Sequence, residues 1–372
     1  MTTTGQSRAR VGRRELTSML TLLIATHAFL DYPNEASVSG LEAAWMEPII
    51  SGVVALIAFL VMDGLFRRFF PGIGLLDVMK IALGKHLSVI FSLALAGYFI
   101  LVTAAIMRQF VETVIITVLP STPIVVVSAL FIIAVGYVAT CGLEAVVRVA
   151  QLAFPLFVLG ILGLCLLTMN WWHPVLLLPF WGTGVQSMAL GSLRTSSVFV
   201  NILLLTVIYP HAKDHRDLRK VGVSSTIYGV LLLVAFLLVY HMVFAPAETA
   251  KLSSPIYSVA RLIHIGRFVQ RIESIYIFIW VSAAVLKMSI TTWAATYILT
   301  YTFDWPTYRP IIPAIGLLCW AVSLFPSDVI SVVRTEYSTV MTWSWVVIFV
   351  LPLVFLLVGM MRQRMKRGAP SV

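Results

Sequence analysis

Charged residues are scarce in this sequence, at 11% of 372 residues against 60% hydrophobic, whereas a soluble globular domain carries roughly 25% charged residues. That ratio excludes a water-soluble enzyme. Long polar stretches are also missing: no segment between apolar runs exceeds 25 residues, which leaves no room for a soluble catalytic or DNA-binding domain. Cysteine is nearly absent. Cys141, Cys165 and Cys319 lie in apolar segments without metal-ligand spacing, too few for a disulfide framework. Nucleophile-elbow, phosphate-loop, zinc-helix and dinucleotide motifs are lacking. His211 and His215 stand four apart, but in the basic loop YPHAKDHRDLRK with no third ligand nearby. Nothing here calls for an enzyme, a cofactor or a metal. The formal charge of +10 does not imply nucleic acid either, because the basic residues punctuate apolar runs instead of forming a patch.

What the sequence has in abundance is apolar helix, with a mean hydropathy of +0.97. A hydrocarbon core about 30 Å thick takes about 20 helical residues per crossing. Hydropathy places ten spans near 15–32, 47–66, 86–118, 122–140, 143–168, 187–210, 220–245, 270–302, 308–325 and 340–361. The third and eighth are long enough to require tilt or extension beyond the headgroups. No strand pattern appears, and irregular backbone cannot face lipid, so the expected fold is an all-α helical bundle with membrane lipid as its surroundings. With the N-terminus inside, 18 Lys and Arg fall in inside segments and 5 in outside ones. That asymmetry places both termini in the cytoplasm and requires an even number of spans. The first outside loop reads as acidic, with Asp31, Glu35, Glu42 and Glu47. A short interfacial helix is expected after Pro255, its register set by Tyr257, Ala260, Arg261, Ile263 and His264.

Polar groups at membrane depth are costly, so candidate functional residues are sought there. Thr26 and His27 interrupt the first span two turns before Pro33. They fit either a satisfied buried histidine or a broken helix whose freed backbone groups meet a substrate. In the sixth span, Gly182, Gly184 and Gly191 lead into Ser192, Arg194, Thr195, Ser196 and Ser197, with Asn201 beyond. That run loosens a helix by side-chain competition for backbone bonds, and Arg194 either lines a cavity or reaches the interface. Lys287 lies mid-span among Ser282, Ser289, Thr291 and Thr292. Its ammonium stands in for a carrier's cation, forms a structural ion pair or reaches the inner headgroups. In the third span Arg108 and Glu112 are one turn apart and can neutralise each other, and Tyr98 is a candidate to cap a ligand. Glu144 and Arg148 read as a local pair of the same kind.

Four stretches together resemble a known family. They are GYFILVTAAIMRQFVETVIITVLPSTP, CGLEAVVRVAQLAFPLFVLGIL, IYPHAKDHRDLRK and SSPIYSVARLIHIGRFVQRIESIYIFIWVSAAVLKMSITTWAA. Over residues 14–367 the chain resembles the integral-membrane B subunit of nutrient germinant receptors of bacterial endospores, a branch of the amino acid, polyamine and organocation transporter superfamily. The resemblance implies a LeuT-like five-plus-five inverted repeat with helices 1 and 6 broken. The single membrane domain then divides into a first repeat at 14–168 and a second at 187–361, with tails at 1–13 and 362–372. Two positions depart from the family pattern: Thr26 stands where the family has a small glycine, and Asn201 where it has an acidic residue.

The function implied is a sensor in the bacterial cell membrane, specifically the spore inner membrane, that binds a small nutrient such as an amino acid and triggers germination with companion A and C subunits. Thr26, His27, Tyr98, Arg194, Thr195, Ser196 and Ser197 are the expected ligand-binding residues, and Lys287 the expected ion-site or coupling residue. The alternative is a proton- or cation-coupled amino acid permease or exchanger.

Overall fold

The computed structural model describes residues 11–30, 32–214, 216–249, 252, 254–263, 273–325 and 342–368. His215, His264, Lys251, Arg267, Arg271 and Arg334, together with Arg8 and Arg10 in the N-terminal tail, lie outside the described residues, as does the Ser197 side chain. Among the described residues regular structure is helical, apart from one isolated parallel bridge between Val11 and Ala212.

The first span is two half-helices, α1 (Arg13–Ala25) and α2 (Tyr32–Gly40), separated by a 3₁₀ turn at Thr26–Phe29. The second span is α3 (Glu47–Phe69). A short helix, α4 (Leu75–Leu83), leads into α5 (Lys85–Thr117), α6 (Ile124–Thr140) and α7 (Leu143–Leu167). The sixth span is again divided into α8 (Val185–Arg194), a 3₁₀ turn at Thr195–Phe199, and α9 (Val200–Ile208). It is followed by α10 (Asp217–Val243), two short helices α11 (Pro246–Thr249) and α12 (Pro255–Ala260), α13 (Glu273–Thr302) and α14 (Ile312–Leu324). The tenth span comprises α15 (Thr342–Trp345), a π turn at Val346–Val350, and α16 (Leu351–Gly368). The described residues include six helices long and apolar enough to cross a membrane, with shorter apolar helices beside them.

Packing sorts the spans by depth. Among the six long apolar helices α13 is the most enclosed, packed against α5, α6 and α7, and its Trp280, Lys287, Trp293 and Thr296 are buried. α6 turns Leu130, Ile133 and Tyr137 outward, as a lipid-facing helix must. Lipid tails are as apolar as leucine, so helices associate by close van der Waals approach at small residues. α10 shows this at two glycines. A Cβ on Gly229 would lie 2.7 Å from the Ile24 side chain of α1, and one on Gly222 would lie 2.2 Å from the Phe59 ring of α3.

Two expectations change here. The acidic outer loop is largely helix. Glu35 lies within α2, and Glu47 opens α3 just before Pro48, because a chain that breaks at Thr26 can restart a helix before it leaves the bundle. The helix after Pro255 is present, but Pro255, Ile256, Val259 and Ala260 are buried. α12 therefore packs on the first-span turn and on α13 instead of floating at an interface.

Candidate functional site

At each break the cap residue's backbone N–H still reaches the last carbonyls of the preceding half-helix, and hydroxyl side chains add a second donor to them. Thr26 donates to the Leu22 carbonyl at the end of α1. Thr195 donates to Gly191 O at 3.1 Å and Ser196 to Leu193 O at 2.6 Å at the end of α8. All three are buried, at 1%, 4% and 0% exposure. In this conformation the hydroxyls expected to hold a ligand therefore stabilise the half-helix ends.

The half-helices pair across the two spans: α1 packs on α9, and α2 packs on α8 and on the sixth-span turn. The first-span turn packs instead against α10, α12 and α13. The polar interior consequently forms two centres, one around each break.

The first centre joins His27 to Lys287, 260 residues apart. His27 Nδ1 lies 3.1 Å from Ile24 O, and the Lys287 ammonium lies 3.1 Å from Nδ1 and 3.0 Å from Nε2; with the ring proton on Nδ1, Nε2 is the nitrogen that accepts from the ammonium. Both side chains are buried, at 3% and 1% exposure. One turn farther along α13, Thr291 accepts from Thr103 of α5 at 2.7 Å. Tyr98, 8% exposed on α5, sits edge-on to Phe99 with ring centroids 5.9 Å apart. Asn201, on α9, is buried with its side-chain oxygen unbonded.

The second centre lies where α2, α3 and α8 meet. Glu47 is fully buried and accepts from the Ser39 hydroxyl. Its other oxygen lies 3.4 Å from the Thr195 hydroxyl. In the sequence Glu47 stands at the junction of the acidic first outside loop and the 47–66 span. The available signal was Pro48, which marks a helix's first turn and so places Glu47 inside it.

Arg194 is not in either centre. Its side chain is exposed at the end of α8, because Met188, Gly191, Ser192 and Thr195 share the buried face, and Leu193 and Arg194 fall off it. Arg108 and Glu112 do pair, with a guanidinium nitrogen of Arg108 3.4 Å from Ser323 O of α14. Glu144 and Arg148 also pair, on the surface. His211 departs from the solvated-loop reading: it is half-buried, with its ring 4.9 Å from that of Tyr297.

Side-chain and backbone bonds hold the first span at both ends. Near the N-terminus, Val11 N–H donates to His211 O at 3.2 Å and Lys213 N–H to Val11 O at 3.1 Å. A crevice of about 400 Å³ opens beside this bridge, lined by Arg13, Leu16, Lys213, Asp217 and Val221 among others. At the far end of the span, Ser37 bonds His241 Nε2 at 3.0 Å. Asn34 donates to Leu252 O at 2.6 Å and accepts from Tyr240 at 3.2 Å.

Two discontinuous helices around buried polar centres define a multi-pass membrane protein of permease-like architecture. The fold matches that of Mhp1, a nucleobase-cation-symport-1 family transporter solved in a closed conformation with bromovinylhydantoin bound. The TM-score is 0.64 at 10% identity, covering 97% of this chain and 92% of that one. It is the LeuT-like five-plus-five arrangement with helices 1 and 6 broken. The chain belongs to the spore germination protein family, whose model matches residues 10–332. Among its relatives in Bacillus subtilis (strain 168), spore germination protein KB is 25% identical over 292 residues, covering 77% of each chain. Spore germination protein A2 is 25% identical over 328 residues, covering 86% of this chain and 87% of the relative. Spore germination protein B2 is 21% identical over 375 residues, covering 96% and 99%.

Proposed function

We propose that this chain is the membrane subunit of a nutrient germinant receptor. It binds a small nutrient, an amino acid, beside the first-span break and passes the change to companion A and C subunits in the spore inner membrane. The observation that carries this reading is the Lys287 ammonium held 3.0 Å from His27 at a point where helix 1 loses its regular bonding. A buried cation there supplies the charge complement of an amino acid's carboxylate, and freed backbone N–H groups add donors. Thr26 belongs to this shell and Tyr98 caps the ligand from α5, while Thr195, Ser196 and Ser197 act from the sixth-span break. Arg194 acts from outside this shell, at the interface. In this reading residues 14–168 and 187–361 are the two repeats, and the eighteen-to-five bias of Lys and Arg keeps both termini in the cytoplasm.

The test is a nutrient dose response in spores whose only copy of this subunit carries Ser196→Ala or Tyr98→Phe. Both variants shift the response to higher nutrient concentration. An unchanged dose response in both refutes the site. The fold it shares with a cation symporter favours a second reading, a coupled amino acid permease. Uptake of labelled amino acids into proteoliposomes above the empty-vesicle rate supports that reading. Nutrient-triggered germination that is lost on deletion, without uptake, supports the receptor.

A further inference from the structure

Glu47 is a buried carboxylate at the junction of three helices, and the nutrient reading gives it no part. Its position is built with care. Gly191 of α8 lies so close that a Cβ there would stand 2.6 Å from Glu47 Oε1 and 2.6 Å from Ser39 Cβ. Tyr32 of α2, 1% exposed, turns its hydroxyl toward Thr195, Ser51 and Glu47 without a hydrogen bond of good geometry to any of them.

Counting hydrogens shows what state suits the site. An ionised carboxylate offers about four acceptor positions and no donor. The neighbouring hydroxyl protons have competing acceptors. Ser39 has Glu35 O at 3.1 Å and Ala36 O at 3.4 Å. Thr195 has Gly191 O at 3.1 Å and Ser192 O at 3.5 Å. Ser51 donates to the backbone carbonyl of Glu47 at 2.8 Å. Among the described residues no Lys, Arg or His lies within ion-pair distance of Glu47. The titratable and charged groups on the elements packed around it are few. Tyr32 and Glu35 lie on α2, and Glu35 adds charge of the same sign. Glu42 lies on the turn before α3, Arg194 is exposed at the end of α8, and His241 of α10 is already bonded to Ser37. At the far end of α3, Asp63 is engaged with Arg67.

A buried carboxylate without a cation is expensive. A carboxylic acid satisfies the carboxyl group and the Ser39 and Thr195 hydroxyls. Oε1 accepts from Ser39, and a proton on Oε2 is donated to Thr195 Oγ1, whose own proton stays with Gly191 O. We propose that Glu47 is a proton-binding site: with its proton it ties α2 and α8 to α3, and loss of the proton drives the two half-helices apart. The ligand is the proton itself, and the device is independent of which nutrient the first-span break receives.

The test uses the full-length chain in lipid nanodiscs, with Cys141→Ser to remove the exposed thiol. Infrared spectroscopy at neutral pH reads the C=O stretch of protonated carboxyl groups, and deuterium exchange identifies it. Wild type shows such a band, Glu47→Gln loses it, and Glu35→Gln keeps it. Electron–electron distance measurements between spin labels at Val38 of α2 and Val185 of α8, both exposed, read the separation of the two half-helices. In wild type the distance lengthens as pH rises; in Glu47→Gln it stays short at every pH. A band that survives Glu47→Gln, or a pH-dependent lengthening unchanged by it, overturns the proposal. Should Glu47→Gln fail to fold, Glu47→Asp decides. The proposal requires it to move both the band and the pH midpoint of lengthening, and an unmoved midpoint sinks it.

Discussion

Replacing Lys287 with methionine tests the nutrient site most directly, because it deletes the charge while keeping the stem. The ammonium is 1% exposed and rests on an imidazole 3.0 Å away. A hydrogen bond to a charged group contributes about 1.5–3 kcal/mol. At about 1.4 kcal/mol per tenfold, loss of one contact to a ligand carboxylate weakens binding roughly ten- to hundredfold. Taking an ammonium out of a low-dielectric interior also relieves a desolvation cost of several kcal/mol. The unliganded variant is therefore expected to melt no lower than wild type. Thermal unfolding of the purified chain in nanodiscs, with each of the common L-amino acids as probe, reads both quantities. A ligand raises the melting point according to its concentration over Kd, so the variant needs roughly ten- to hundredfold more of the stabilising amino acid for an equal rise. An amino acid that stabilises Lys287→Met and wild type at the same concentration refutes the reasoning. A depressed melting point in the unliganded variant makes Lys287 a structural residue.

Three further outcomes follow from particular contacts. Gly191→Val drives a side chain into Ser39 and Glu47, and overpacking of this kind costs about 1–3 kcal/mol; thermal unfolding should show it, and an unchanged melting point contradicts the close approach. His241→Leu removes the Ser37–His241 bond while Ser37 keeps the Pro33 carbonyl as acceptor at 2.6 Å, a loss of about 0.5–1.5 kcal/mol for one bond, and should speed amide exchange in α2; equal exchange means the bond does not hold α2. Arg194→Ala removes an exposed side chain, so the nutrient dose response should move by less than about twofold, in line with surface changes within ±0.5 kcal/mol. A tenfold loss would place Arg194 at the ligand after all.

Local patterns in the sequence carried the breaks. Thr26 and His27 ahead of Pro33 mark the first, and the polar run ending at Ser197 marks the second; the 3₁₀ turns occupy 26–29 and 195–199. Both signals are local because hydroxyls compete with helix bonding within a turn. Contacts between distant segments left no such mark. Nothing near Lys287 specifies His27, since their meeting depends on how α13 docks against the first-span turn. Glu47 was hidden for a different reason: an acidic residue between two apolar runs reads as loop until the preceding half-helix is known to turn back into the bundle. Arg194 could be read two ways from sequence, because a cation at membrane depth signals function only when it faces the interior, and the helical phase of α8 turns it outward.

The first span is held at three points: the Val11 bridge, the His27–Lys287 contact, and the bonds from Asn34 and Ser37. The far-end latch has three side-chain bonds, Ser37 to His241, Asn34 to Leu252 and Tyr240 to Asn34. At about 0.5–1.5 kcal/mol each, they favour the latched form by roughly 1.5–4.5 kcal/mol. A ligand that reverses a 1:99 population needs about 5.5 kcal/mol of differential affinity. One charge-assisted contact to Lys287, at about 1.5–3 kcal/mol, falls short alone. A nutrient that switches this chain must therefore gain a second group at the same time as it releases the latch. The candidates nearest the break are the backbone N–H groups of the first-span turn and the Tyr98 hydroxyl. A small carboxylate that engages Lys287 without them shifts the population only part of the way, because a ligand moves an equilibrium no further than its differential affinity for the two states.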